Sequence, residues 1–260
     1  MSFVSLDGVR FYFQSSGPAS SAQPAIIFIH GSGGDSTVWH DQLEALSSTL
    51  HSTAADLPGH GRSGGRPSTD PGTYARWLGR FAESLRLDAF VLAGHSMGGI
   101  IAQQFARLFP EKLRGLILIG TGMRFKIPSR YFQILHRNFD AACTLSCRQA
   151  YAQETPAGIR DQGLAMLQRN GPDTLMHDLR LCSDFDSSGW IGSLSIPTLI
   201  IHGIQDGITP HKAVVRLAGV IRDSHLKYMQ RSGHMPMQEQ PEIFNREIAG
   251  FIKKRCSGHG

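Results

Sequence analysis

Phe90-Val91-Leu92-Ala93-Gly94-His95-Ser96-Met97-Gly98-Gly99 is the stretch on which the fold turns. Its first half, with Ala89 in front, is a short continuous apolar run of the kind found in a strand buried on both faces of a parallel sheet. Its second half fits G-x-S-x-G, and the segment Ile100 to Phe109 that follows carries apolar residues at helical spacing. A serine on a sharp strand-to-helix turn has strained dihedrals, and side chains two positions before and after it would collide. Glycine is therefore needed at 94 and 98. The helix start aims free N–H groups and partial positive charge at the place where negative charge develops. A Gly/Ser-rich turn without chemistry satisfies the bare pattern equally well, so the partners of Ser96 decide the matter.

Outward from this stretch, similar apolar runs recur at Ala25 to Ile29, Leu116 to Ile119 and Thr198 to Ile201. Val38 to Leu50, Tyr74 to Leu87, Lys212 to Ile221 and Pro241 to Lys254 read as helices between and after them. Strands alternating with helices predict a parallel sheet covered on both sides, since a right-handed crossover needs a helix to return the chain. Ahead of this pattern, Phe3 to Leu6 and Val9 to Phe13 flank Asp7-Gly8, a type I′ turn signal, and predict an opening hairpin. Ser15 to Pro24 reads as a polar loop. The region 123–190 breaks the alternation: it is helix-like, interrupted at Pro128, Pro156, Gly158, Gly171-Pro172 and Ser187-Ser188-Gly189, and has no strand-like run. It is expected to be a helical cap inserted in a core made of 1–122 and 191–260. Its aromatics, Trp190 among them, fit the cap's own core or a substrate surface, and Arg124, Lys126 and Arg130 at its start fit a solvated basic face or the steering of an acidic group.

Composition narrows the class. With 41% hydrophobic and 18% charged residues, the 260-residue chain falls among globular proteins and outside the disordered, collagen-like and coiled-coil classes. The net charge of +5 is mild, and its one dense basic run, Lys253-Lys254-Arg255, reads as a solvated helix end, so no nucleic-acid partner is expected. Four cysteines do not make a disulfide framework; Cys143 and Cys147 lack the further ligands of a zinc set, so free thiols and no metal are expected. Met1 to Gly8 lacks a basic region followed by an apolar stretch, and no apolar run nears the ~20 residues that span a bilayer. No membrane is expected, and a reducing cytoplasm fits best.

A serine hydroxyl needs a base, and the base needs an orienting acid. Thr198 to Ile201 leads into His202-Gly203-Ile204-Gln205-Asp206, and His225 to Met229 leads into Gln230-Arg231-Ser232-Gly233-His234. Asp206 and His234 thus fall just past strands, on the same carboxyl edge as Ser96, in the order nucleophile, acid, base. An oxyanion needs two N–H donors. The Met97 amide is one candidate; Ser32, in the glycine-bearing loop His30-Gly31-Ser32-Gly33-Gly34, is the other, with Gly31 beside the substrate. That loop lacks the Gly-Lys-Ser/Thr ending and dinucleotide spacing of a phosphate cradle.

Together with Trp39, Asp56-Leu57-Pro58-Gly59-His60-Gly61-Arg62-Ser63 and the motifs above, the chain resembles the α/β-hydrolase fold superfamily over nearly its whole length outside the cap. The resemblance implies a mostly parallel eight-stranded sheet flanked by helices, a helical cap after the sixth strand, and a Ser–His–Asp triad beneath it. It implies a structural role for Asp56 to Ser63. Haloalkane dehalogenases and epoxide hydrolases of this fold carry aspartate where Ser96 stands, which argues against both. The expected activity is cofactor-free hydrolysis of carboxylic esters with small to medium, largely apolar acyl groups. Thioesterase or methyl-ester esterase action on groups bound to a carrier protein, lactonase action and carbon–carbon bond hydrolysis remain alternatives, the last disfavoured by His95 where Asn is common. A small-molecule receptor with slow hydrolysis is the reading from outside the enzymes.

Overall fold

The computed structural model describes residues 2–18 and 24–256. The chain runs β1 (Ser2–Leu6), β2 (Val9–Ser16), β3 (Ala25–Ile29), α1 (His40–Leu46), β4 (Ser52–Ala55), α2 (Pro71–Ser84), β5 (Phe90–His95), α3 (Met97–Leu108) and β6 (Leu113–Ile119). It continues through α4 (Ser129–Arg137), α5 (Phe139–Ala150), α6 (Ala157–Asp184), β7 (Thr198–Gly203), α7 (His211–Val220), β8 (Ser224–Met229), α8 (Pro236–Glu239) and α9 (Pro241–Phe251). One sheet of eight strands holds these together in the order β1-β2-β4-β3-β5-β6-β7-β8. The β1–β2 and β2–β4 pairs are antiparallel and the remaining five are parallel.

The period of two along the central strands explains why both faces are covered. Ile27, Ile29, Leu92 and Leu118 enter one apolar cluster with α2, α3 and α7; Ile26, Phe28, Ala93 and Ile117 enter another with α1 and α9. Every residue of β5 and β7 is buried, as expected of strands that alternate between two cores. The opening hairpin turns at Asp7 (φ 51°) and Gly8 (φ 78°), both in the left-handed region that a type I′ turn requires.

Two expectations need correction, and one strand carried no sequence signal. β2 runs on to Ser16, pairing Ser15 with Thr53 and Ser16 with Ser52, so the loop expected from Ser15 begins later; residues 19–23 of it lie outside the described residues. The partner strand β4 has no apolar run to betray it: Ser-Thr-Ala-Ala is buried because small side chains suffice between two covered neighbours. The helix expected over Val38 to Leu50 ends at Leu46 and begins with a 3₁₀ turn, Ser36–Trp39, capped by the Asp35 side chain. The start of α2 is set by Asp70-Pro71: Asp70 Oδ1 and Oδ2 accept from the Gly72 and Thr73 amides, and Pro71 occupies the first helical position.

Between β6 and β7 the described elements are helical, α4 to α6, and a backbone bridge from Arg124 to Asp186 draws the two ends of this insertion together. Pro128 and Pro156 flank the starts of α4 and α6, and α6 breaks at Gly171 (φ 84°), just before Pro172.

Candidate active site

At the end of β5 the backbone of Ser96 is held at φ 52°, ψ −114°, a region that side-chain-bearing residues avoid. Packing leaves it no alternative. A Cβ at Gly94 would lie 2.2 Å from the Gly98 carbonyl oxygen, and one at Gly98 would lie 2.4 Å from that of Ile29. The Ser96 amide donates to Ile119 O at 2.8 Å and its carbonyl accepts from Gly99 N at 2.9 Å, tying the turn to β6 on one side and to α3 on the other.

Two loops on the same sheet edge bring in Asp206 and His234. Asp206 Oδ1 accepts from the Ile208 and Thr209 amides, each at 2.8 Å, which leaves Oδ2 to accept from His234 Nδ1 at 2.8 Å. Because a carboxylate only accepts, Nδ1 bears a proton, and in the neutral form of this tautomer the lone pair is on Nε2. The His234 loop is itself fixed by Glu239, whose Oε2 accepts from Gly233 N at 2.8 Å and Ser232 Oγ at 3.1 Å, while Oε1 accepts from Ala152 N at 2.7 Å in the insertion. His95 adds a strut: its Nε2 donates to the His234 carbonyl at 2.9 Å, and the two rings lie 4.6 Å apart. Complete burial, reinforced by neighbouring His234, holds the His95 pKa well below the usual range, so this ring is a neutral donor.

The loop after β3 approaches Ser96 from the other side. A Cβ at Gly31 would come within 2.8 Å of His95 Nδ1 and 3.1 Å of Ser96 Cβ, so only glycine fits there. Among the described residues neither the Ser32 nor the Met97 amide has a hydrogen-bond acceptor. The next amide, Gly33 N, donates to Asp178 Oδ2 of α6 at 2.7 Å. His30 holds the loop from beneath, with Nδ1 donating to Gly31 O at 2.9 Å and Nε2 accepting from Leu57 N at 3.1 Å; burial drives its pKa down to about 4.

Ser96, His234, Gly31 and Ser32 line one cavity of about 800 Å³ under the helical insertion. The Asp206 side chain is fully buried behind His234. Trp190, for which the sequence offers the cap's own core or the substrate, lies outside this lining: its ring packs edge-on against Phe185 at 6.3 Å and beneath the Arg107 guanidinium at 4.9 Å. Phe125, Tyr131 and Tyr151 are the insertion's aromatics that do face the cavity. Among the described residues no group of three or more His, Cys, Asp or Glu side chains is placed to hold a metal ion, and no helix is long and apolar enough to cross a membrane.

The alpha/beta hydrolase family matches residues 26–247. The chain belongs to that family. Among solved alpha/beta folds, a thermophilic esterase is 30% identical and superposes with a TM-score of 0.86, covering 97% of both chains. A malate-bound thermophilic esterase from Thermogutta terrifontis is 25% identical with a TM-score of 0.87, over 98% of this chain and 97% of its own. A pimeloyl-[acyl-carrier protein] methyl ester esterase of Yersinia enterocolitica is 26% identical over 247 residues, 88% of this chain and 93% of that protein. This alpha/beta hydrolase carries two features that sequence reasoning missed. Asp178, fully buried in α6, meets His60 Nε2 at 3.0 Å, and Glu239 gathers the His234 loop. Neither carries a motif. A histidine at position 60 in a turn-rich loop is the one signal that a partner was needed.

Proposed function

We propose that this alpha/beta hydrolase is a serine-dependent carboxylic ester hydrolase. Ser96 is the nucleophile, His234 the general base and Asp206 the orienting acid, with the Ser32 and Met97 amides receiving the oxyanion. The observation that carries the reading is the 2.8 Å bond from His234 Nδ1 to Asp206 Oδ2, which fixes the imidazole of a histidine that lines the same cavity as Ser96. His234 takes the Ser96 Oγ proton as Oγ attacks the acyl carbon. The same proton passes to the departing alcohol, leaving an acyl-enzyme, and water activated by His234 then releases the acid. The apolar lining (Met123, Phe125, Ile127, Leu167, Leu175 and Leu179) suits small to medium apolar acyl groups, with residues 123–190 acting as the cap over them. The chemistry uses no cofactor or metal, and a small-molecule acyl substrate is the partner. The described cysteines, all free and buried, suit the cytoplasm.

The test is turnover of p-nitrophenyl acylates and labelling by a fluorophosphonate probe. Ser96→Ala is expected to abolish both; a variant that keeps wild-type turnover contradicts the assignment, and rapid labelling without multiple turnover on any acyl substrate favours a receptor. The Yersinia relative, named for a carrier-bound methyl ester, supports a second reading in which the acyl group arrives on a carrier protein.

A further inference from the structure

The cavity above Ser96 is asymmetric in charge. Arg124, Lys126, Lys212 and Arg216 line it, and among the described residues no aspartate or glutamate does. The chain as a whole is closer to balance, with 26 basic and 21 acidic residues. The arrangement of the cavity's cations is specific. Lys212 and Arg216 stand four residues apart on α7, hence on one helix face. The segment that leads to Arg124 and Lys126 passes beside that helix at Gly122, where an added Cβ would meet Ala213 Cβ at 3.4 Å. Arg124 is occupied by Asp186, to which it is ion-paired. Among the described residues Lys126, Lys212 and Arg216 have no acidic partner within ion-pair distance.

We infer that the far end of the natural substrate carries an anionic group, carboxylate or phosphate, received by Lys126, Lys212 and Arg216 while its apolar middle fills the space leading to Ser96. The inference rests on the ester hydrolase reading above and narrows it to acids esterified at one end and charged at the other. Lys126, Lys212 and Arg216 are exposed, so a neutral acyl chain leaves their charged ends hydrated and unpaired and gains nothing from them. An arriving anion supplies the missing counter-charge. Exposed charges act weakly one at a time, so the joint effect of two is expected at about fivefold to tenfold, and it is screened by salt.

The experiment compares p-nitrophenyl esters of one six-carbon acyl chain that ends in a carboxylate, a phosphonate or a neutral methyl ester. The quantity read is the ratio of kcat/KM for each anionic ester to that for the neutral one. The wild-type ratio is expected to be at least fivefold above unity and to fall toward unity in 0.5 M salt. Lys212→Gln combined with Arg216→Gln should remove most of it. Lys253→Gln combined with Lys254→Gln changes net charge equally, away from the cavity, and should leave it intact. A larger ratio for the carboxylate identifies a free dicarboxylate monoester; a larger one for the phosphonate identifies a phosphate-bearing acyl arm. A ratio near unity in the wild type, or one that survives the α7 double substitution, overturns the inference while leaving the esterase reading standing. Failure to turn over any of the three esters overturns the esterase reading, and this inference with it.

Discussion

Asp206 divides its two carboxylate oxygens between separate tasks, and this makes its role testable without unfolding the loop. Oδ1 serves the Ile208 and Thr209 amides and Oδ2 serves His234. Asp206→Asn keeps one oxygen for the amides while presenting an NH₂ to the imidazole, which then carries its proton on the wrong nitrogen. The expected outcome is a loss of roughly 10³–10⁴ in kcat with an unchanged circular dichroism spectrum; a loss under tenfold would remove Asp206 from the mechanism. Gly98 poses the opposite case, since its tolerance is set by backbone. A methyl group there faces the Ile29 carbonyl oxygen at 2.4 Å, an atom that cannot rotate away. Gly98→Ala is expected to destabilise by about 3 kcal/mol, read by urea titration, and a loss under about 1 kcal/mol would mean the turn relaxes more readily than this packing allows.

At the scale of elements, the second half of α6 presents Thr174, Asp178 and Cys182 at four-residue spacing to the loops after β3 and β4. Thr174 Oγ1 donates to Gly59 O at 3.3 Å, Asp178 meets His60 Nε2 and Gly33 N, and the Cys182 thiol lies 3.6 Å from Ser32 Oγ. Asp178 thus clamps the amide that follows Ser32. Burial opposes a charged His60, yet the Asp178 carboxylate and the Pro58 carbonyl, which accepts from Nδ1, together hold its pKa above the ordinary value. A histidine whose folded pKa is raised contributes stability that is complete below its unfolded value of about 6.5 and is lost as pH rises through the folded value. Asp178→Asn should therefore cost about 3 kcal/mol at pH 6 and less at pH 9. Urea titrations of both proteins at the two pH values test this; a gap that does not narrow with pH would show that His60 is uncharged in the folded protein.

Across the whole molecule, legibility followed how local each signal is. Apolar runs such as Ala25–Ile29 and the glycine-flanked Ser96 declare themselves because their physics is confined to a few consecutive residues. The meeting of Asp206 with His234 was readable because each follows its own strand onto the same edge. Ser52–Ala55 was not, since its burial comes from neighbours, and Asp178 was not, since its partners lie 118 and 145 positions away. The basic run near the C-terminus shows the same limit. Lys253-Lys254-Arg255 reads as a solvated end, but Arg255 forks onto Asp223, with both bonds at 2.7 Å, and donates to His225 Nε2 at 2.7 Å. Around it Ile252 and Cys256 are buried, the Cys256 thiol so close to β6 that a Cβ on Gly115 would lie 2.4 Å from it. The segment after α9 therefore seals one face of the sheet. Ending the chain at Phe251 removes a fully buried isoleucine, a buried thiol and the Arg255 fork, together worth about 4 kcal/mol. For a chain of this size that corresponds to a fall of about 10 °C in Tm. A truncated protein that melts within 2 °C of the full chain would show that the segment covers the sheet without contributing to its stability.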